Sequence, residues 1–143
     1  IPVLGSSAAV GGAHTRLQGR VLLAEDNQVN QEVALAMLQN LGLNYEMVTN
    51  GADVLEILHR QSFDLILMDC QMPIMDGRTA TVKIREMNNV YKDIPIIAMT
   101  AHAIKIESEK NLASGMNDHV GKPVDVNEII HKMRRFLLNV EMP

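Results

Sequence analysis

The stretch Leu65–Gly77 reads LILMDCQMPIMDG. Four apolar residues lead straight into Asp69, and Asp76 and Gly77 follow Met72-Pro73 within the same stretch. A carboxylate at the edge of a hydrophobic core is costly unless something pairs with it. The run has the length and apolar continuity of a strand buried on both faces. The partner of Asp69 therefore has to come from elsewhere in the chain.

The same pattern recurs on either side. RVLLAED from Arg20, YEMVT from Tyr45, DLILMD from Asp64, IPIIAMT from Ile94 and DHVGKP from Asp118 are short strand candidates. Helical patterns separate them. Asn27 is placed to cap a helix over QVNQEVALAMLQNLG, with Val29, Val33, Met37 and Leu41 at four-residue spacing and Gly42 as the stop. Asn50 can cap GADVLEILHR, with Val54, Leu55 and Leu58 inward. GRTATVKIREM, then IKIESEKNLASG closed by Gly115, then VDVNEIIHKMRRFLLN complete the set. The last carries an apolar stripe of Val126, Ile129, Ile130, Met133 and Leu137. Five βα units of this kind predict an α/β fold: a five-stranded parallel sheet, doubly wound, (βα)5.

The totals agree with one such domain. The chain has 143 residues, 47% of them apolar and 21% charged. A net charge of −4 and the absence of Trp argue against nucleic-acid binding. The single cysteine, Cys70, excludes an internal disulfide and fits a reducing compartment. No apolar run approaches the roughly 18 residues of a membrane span, and no secretory signal is visible. The expectation is a cytoplasmic domain with no membrane contact of its own, although a parent protein can still be anchored. Ile1–Gly19 is rich in Gly, Ser and Ala and reads as a flexible linker or tail. The domain is expected over 20–139, with a short C-terminal tail at 140–143. A first residue other than Met suggests a fragment of something longer.

In open parallel sheets ligands bind beyond the carboxyl ends of the strands. This chain places polar residues there: Glu25 and Asp26 after the first strand, Asp69 at the third, Thr100 at the fourth, and Lys122 followed by Pro123 at the fifth. Taken singly, each has an ordinary reading as a helix N-terminal acid, a strand-end hydroxyl or a surface lysine. Together they converge on one pocket. Two carboxylates ~4 Å apart repel by roughly 4 kcal/mol at an effective dielectric of 20, so three call for a cation. An oxygen-only ligand set favours Mg²⁺ or Mn²⁺. Lys122 supplies a point charge for a phosphoryl oxygen and Thr100 a hydroxyl donor. The pocket suits phosphoryl chemistry, with Asp69 as a candidate nucleophile.

The motifs LLAEDN, LILMDCQMPIMDG, IIAMTAH and VGKP, in this order and spacing, resemble those of response-regulator receiver domains of two-component signalling. The resemblance covers about Arg20 to Asn139 and implies the flavodoxin-like receiver fold. It implies that Asp69 accepts a phosphoryl group from a phosphohistidine donor. It implies that Glu25, Asp26, Asp69 and the backbone carbonyl of Gln71 position Mg²⁺. Thr100 and Lys122 would hold phosphoryl oxygens, the Lys122–Pro123 peptide would be cis, and Asp76 would cap the next helix. Residues tuning the phosphoryl lifetime would correspond to Gln71 and His102. The family usually has Tyr or Phe three residues before the lysine, where this chain has His119. His119 reads either as a partly exposed strand histidine or as an altered, pH-sensitive switch position.

The first helix and the stretch TAHAIKIESEKNLASGMNDHVGKP resemble receivers of hybrid sensor histidine kinases. The partners implied are a histidine kinase, a histidine phosphotransfer domain, or both. A partner helix would dock near Val29 and Val33, while the last two helices offer a second face. The alternative is a free-standing single-domain response regulator that binds a target protein when phosphorylated. An aspartate-nucleophile phosphatase shares the logic of acid, Mg²⁺ and lysine. It needs a second aspartate two residues after the nucleophile, where this chain has Gln71. As a receiver the domain would catalyse only its own phosphorylation and dephosphorylation.

Overall fold

The computed structural model describes residues 16–87, 91–101 and 105–140. The elements in chain order are β1 (Arg16–Gln18), β2 (Arg20–Ala24), α1 (Gln28–Asn40), β3 (Asn44–Val48), α2 (Gly51–Leu58), β4 (Leu65–Asp69), α3 (Gly77–Arg85), β5 (Ile96–Thr100), α4 (Lys105–Ser114), β6 (Asp118–Gly121), α5 (Val126–Met133) and β7 (Leu138–Val140). Strands β2 to β6 form one parallel sheet in the order β3-β2-β4-β5-β6. The chain steps from β2 outward to β3, then returns to the other side of β2 for β4. The switch point thus lies between β2 and β4, the strands that end nearest the acids.

Alternation along each strand feeds two cores. Val21 and Leu23 of β2 and Leu65 and Leu67 of β4 pack with Leu38, Ile129 and Met133 on the α1/α5 face. Leu22, Ile66 and Met68 pack with Val54, Leu58, Ala80 and Ile84 on the α2/α3 face. β4 and β5 are buried along their full length. The apolar runs are continuous because both faces are covered.

Local chemistry fixes the helix starts. The side chains of Asn27, Asn50, Asp76 and Asp125 accept from the backbone N–H groups of Asn30, Asp53, Thr79 and Glu128. α3 begins immediately above β4, because a Cβ on Gly77 would lie 2.1 Å from the carbonyl oxygen of Asp69. Only glycine permits that approach.

Two expectations fail at the chain ends. The last helix does not run through to Asn139; it ends at Met133, with Arg134 as its C-cap. Phe136 and Leu137 turn back, Leu137 joins the α1/α5 core, and Leu138–Val140 form a strand. That strand pairs antiparallel with Arg16–Gln18, residues expected to be tail. Leu17 is buried in the same core, and its N–H donates to Leu41 O at 3.1 Å. Pairing the backbone of both ends and burying Leu17 and Leu137 outweighs the nearly two further turns of helix that would reach Asn139. Residues 1–15 and 141–143 lie outside the described residues.

Arg85, at the end of α3, staples the far side of the fold. Its guanidinium donates to the carbonyls of Gly115, Lys92 and Ile94 and to Asn117 Oδ1, at 2.7–2.9 Å. Hydrogen bonds to a charged group are worth more than neutral ones. Arg85→Ala is expected to cost about 2 kcal/mol of unfolding free energy, read as a lower urea midpoint at unchanged slope.

Candidate phosphoryl and metal site

The strand ends meet in one open cleft of about 660 Å³, lined by Glu25, Asp26, Asn27, Asn30, Asp69, Cys70, Gln71, Asp76, Arg78, Thr79, Thr100, Ala101 and Lys122. Glu25 is 1% exposed, Asp69 4% and Thr100 5%, while Asp26 faces solvent. Ligand oxygens of Glu25, Asp26 and Asp69 all lie within 4.8 Å of one another.

Lys122 offsets part of the negative charge. Its Nζ is 2.9 Å from Glu25 Oε1 and 2.9 Å from Asp69 Oδ2. The ammonium is held in place by backbone: Lys122 N–H donates to Thr100 O at 2.8 Å, and the Lys122–Pro123 peptide is cis. Asp69 Oδ1 accepts from the Gln71 N–H at 3.1 Å. Glu25 Oε2 accepts from the Asn27 N–H at 3.1 Å. Glu25 Oε1 meets the Lys122 ammonium as a buried ion pair at 2.9 Å, and a carboxylate oxygen with one such contact still has a lone pair for another cation.

The acids and the ammonium pull each other's titration. Burial pushes the Asp69 carboxyl up to about 6, Glu25 adds to the rise, and the bonds from Lys122 and Gln71 work against it. Burial alone would lower Lys122, but the Glu25 and Asp69 carboxylates outweigh it and hold the ammonium above its usual range. The site is one cation short of comfort. Three carboxylates whose ligand oxygens converge, with no nitrogen or sulfur donor in the cluster, fit a hard divalent ion.

His119 stands apart. It sits on β6 opposite Ala98, half-buried, and does not line the cleft. Its carbonyl accepts from Lys132 Nζ, and its Nδ1 is 4.0 Å from Asp118 Oδ1. Lys132 and Arg135 both pair with Asp118. His102 lies outside the described residues. Asp76 caps α3 and also lines the cleft. The sequence reading did not single out Arg78, which the first turn of α3 sets on the cleft wall.

Residues 21–134 match the family model described as the response regulator receiver domain. The chain belongs to the response regulator receiver family. It is a receiver domain of two-component signalling. Hybrid signal transduction histidine kinase K of Dictyostelium discoideum is 37% identical over 136 residues, 86% of this chain and 11% of that protein. The chain thus spans about a tenth or less of the hybrid kinases it first matches. Among solved structures, the receiver domain of a sensor histidine kinase from Pseudomonas aeruginosa PAO1 superposes with a TM-score of 0.76 at 41% identity. It covers 83% of this chain and 97% of that one, and was crystallised with magnesium coordinated in its active-site cleft. The receiver domain of the Saccharomyces cerevisiae response regulator Ssk1, solved with the histidine phosphotransfer protein Ypd1, gives 0.77 at 27% identity over 85% of this chain and 90% of that one. Among the described residues, no helix is long and apolar enough to cross a membrane.

Proposed function

We propose that Asp69 is the phosphoacceptor of a phosphorelay, served by Mg²⁺ held on Glu25, Asp26, Asp69 and the Gln71 carbonyl. The observation that carries this is the buried Asp69–Lys122–Glu25 contact beside a third carboxylate, at the carboxyl edge of a parallel sheet. An Asp69 oxygen attacks phosphorus, a P–O bond forms, and the P–N bond to the donor imidazole breaks. The electron pair stays on the leaving nitrogen, and an imidazole protonated on its other nitrogen departs neutral. Lys122 holds one phosphoryl oxygen by charge and Thr100 another through its hydroxyl. Mg²⁺, when bound, supplies the charge neutralisation that lets a dianion approach three carboxylates. Mn²⁺ suits the same oxygen donors.

The donor is a histidine kinase or a histidine phosphotransfer domain, and this chain is the receiver of a hybrid kinase. The relatives support that setting, and the Ypd1 complex of a similar domain supports the partner type. Around the cleft, Val29 is 68%, Val33 45% and Ile74 84% exposed. Ile74 also holds φ +68°, rare for a β-branched residue, which presents its side chain outward on the loop before α3. These three form an apolar rim for the helix that carries the donor histidine.

Intact mass after incubation with Mg²⁺ and acetyl phosphate tests the reading. The wild type is expected to gain one phosphoryl group, and Asp69→Asn none. A gain retained in Asp69→Asn sinks Asp69 as the acceptor.

A further inference from the structure

Arg78, the second residue of α3, lies on the cleft wall with Asp69, Thr100 and Lys122. Its Nε donates to Asn111 Oδ1 on α4 at 2.7 Å. Asn111 is 1% exposed and receives a second contact from Cys70 Sγ at 3.4 Å, from the residue that follows Asp69. One buried amide oxygen therefore ties α4 to α3 and to the end of β4.

The tie has an orphan. With Oδ1 turned to the guanidinium, Asn111 Nδ2 meets no acceptor among the described residues. A buried donor left unmade is costly, and the charge-assisted bond from Arg78, with the weaker Cys70 contact beside it, offsets that cost. Anything that draws the guanidinium away frees the amide to turn toward an acceptor. The cleft supplies such a competitor whenever Asp69 carries a phosphoryl group. That group brings nearly two negative charges and three acceptor oxygens, and a planar guanidinium matches them better than a neutral amide does.

We propose that Arg78 is a second phosphoryl-binding cation, held on Asn111 in the unmodified domain and drawn to the anion on Asp69. This rests on the phosphoacceptor reading above. Its structural consequence is that phosphorylation opens the polar link between α3 and α4.

Calorimetric titration with beryllofluoride in saturating Mg²⁺, and with Mg²⁺ alone, tests it. Arg78→Gln is expected to weaken beryllofluoride about tenfold, the worth of one charge-assisted contact, while Mg²⁺ alone binds slightly tighter because a cation has left the wall. Asn111→Leu is expected to act in the opposite direction, tightening beryllofluoride, because one of the contacts that hold Arg78 back is gone. Arg78→Lys keeps the charge without the fork and is expected to fall between wild type and Arg78→Gln. Equal beryllofluoride affinity in Arg78→Gln and wild type overturns the proposal, as does a shift of the same sign in Arg78→Gln and Asn111→Leu. Failure of the wild type to bind beryllofluoride overturns the phosphoacceptor reading and this proposal with it.

Discussion

Lys122→Met should lower the stability of the metal-free domain by about 3 kcal/mol, and excess Mg²⁺ should restore most of the loss. The ammonium touches Glu25 Oε1 and Asp69 Oδ2 at 2.9 Å each, and both acids are almost wholly buried. Removing one partner of a buried pair leaves an uncompensated charge, which costs more than the pair contributes. Methionine keeps the apolar stem, so packing is not what is lost. The damage is self-limiting, because Asp69 already titrates near 6 and can take up a proton. In the wild type the ammonium would compete with a divalent ion for the same oxygens. The variant should therefore bind Mg²⁺ more tightly than the wild type does. Urea melts followed by circular dichroism, with and without Mg²⁺, measure both effects. Equal metal-free stability, or a loss that Mg²⁺ does not touch, would remove Lys122 from this role.

The sheet was legible because each strand is buried on both faces and reads as an apolar run bounded by caps. The convergence of Glu25, Asp69, Thr100 and Lys122 was legible for a related reason. A parallel sheet places every carboxyl end at one edge, so strand-end polar residues meet whatever the loops do. The remaining features have physical causes of their own. Residues spaced by four drift about 40° per step on a helix of 3.6 residues per turn. Met37 and Leu41 reach the core, while Val29 and Val33 rotate out to the cleft rim. The β1–β7 pairing rests on three residues at each end, too few to show a period, and on where the two ends meet in space. Arg78 and Asn111 come together from two helices 33 residues apart, through helix packing that no local pattern encodes.

Asp69→Asn should stabilise the metal-free domain at pH 7 by about 2–3 kcal/mol, the worth of a shift near two pKa units. The sign follows from the direction of the shift. The carboxyl titrates at 3.8 ordinarily and near 6 in the folded domain, because burial disfavours its charge. Between those values the folded state holds more protons than the unfolded one. Wild-type stability from this group therefore falls as pH rises from about 4 to 6, and the penalty is complete above that range. Asparagine has nothing to titrate, so the gap between variant and wild type should shrink toward zero near pH 4. Lys122 stays charged throughout, since its own pKa is raised, and Glu25 keeps it as a partner in the variant. Mg²⁺ should narrow the gap at pH 7 from the other side, because it stabilises the wild type more than a site with one carboxylate fewer. An ionised Asp69 is thus a group that folding disfavours and a cation or phosphoryl group relieves, as binding at this position requires. Urea midpoints for both proteins across pH 4–7 decide it. A gap that is absent at neutral pH, or that does not change with pH, would mean that Asp69 is ionised without strain.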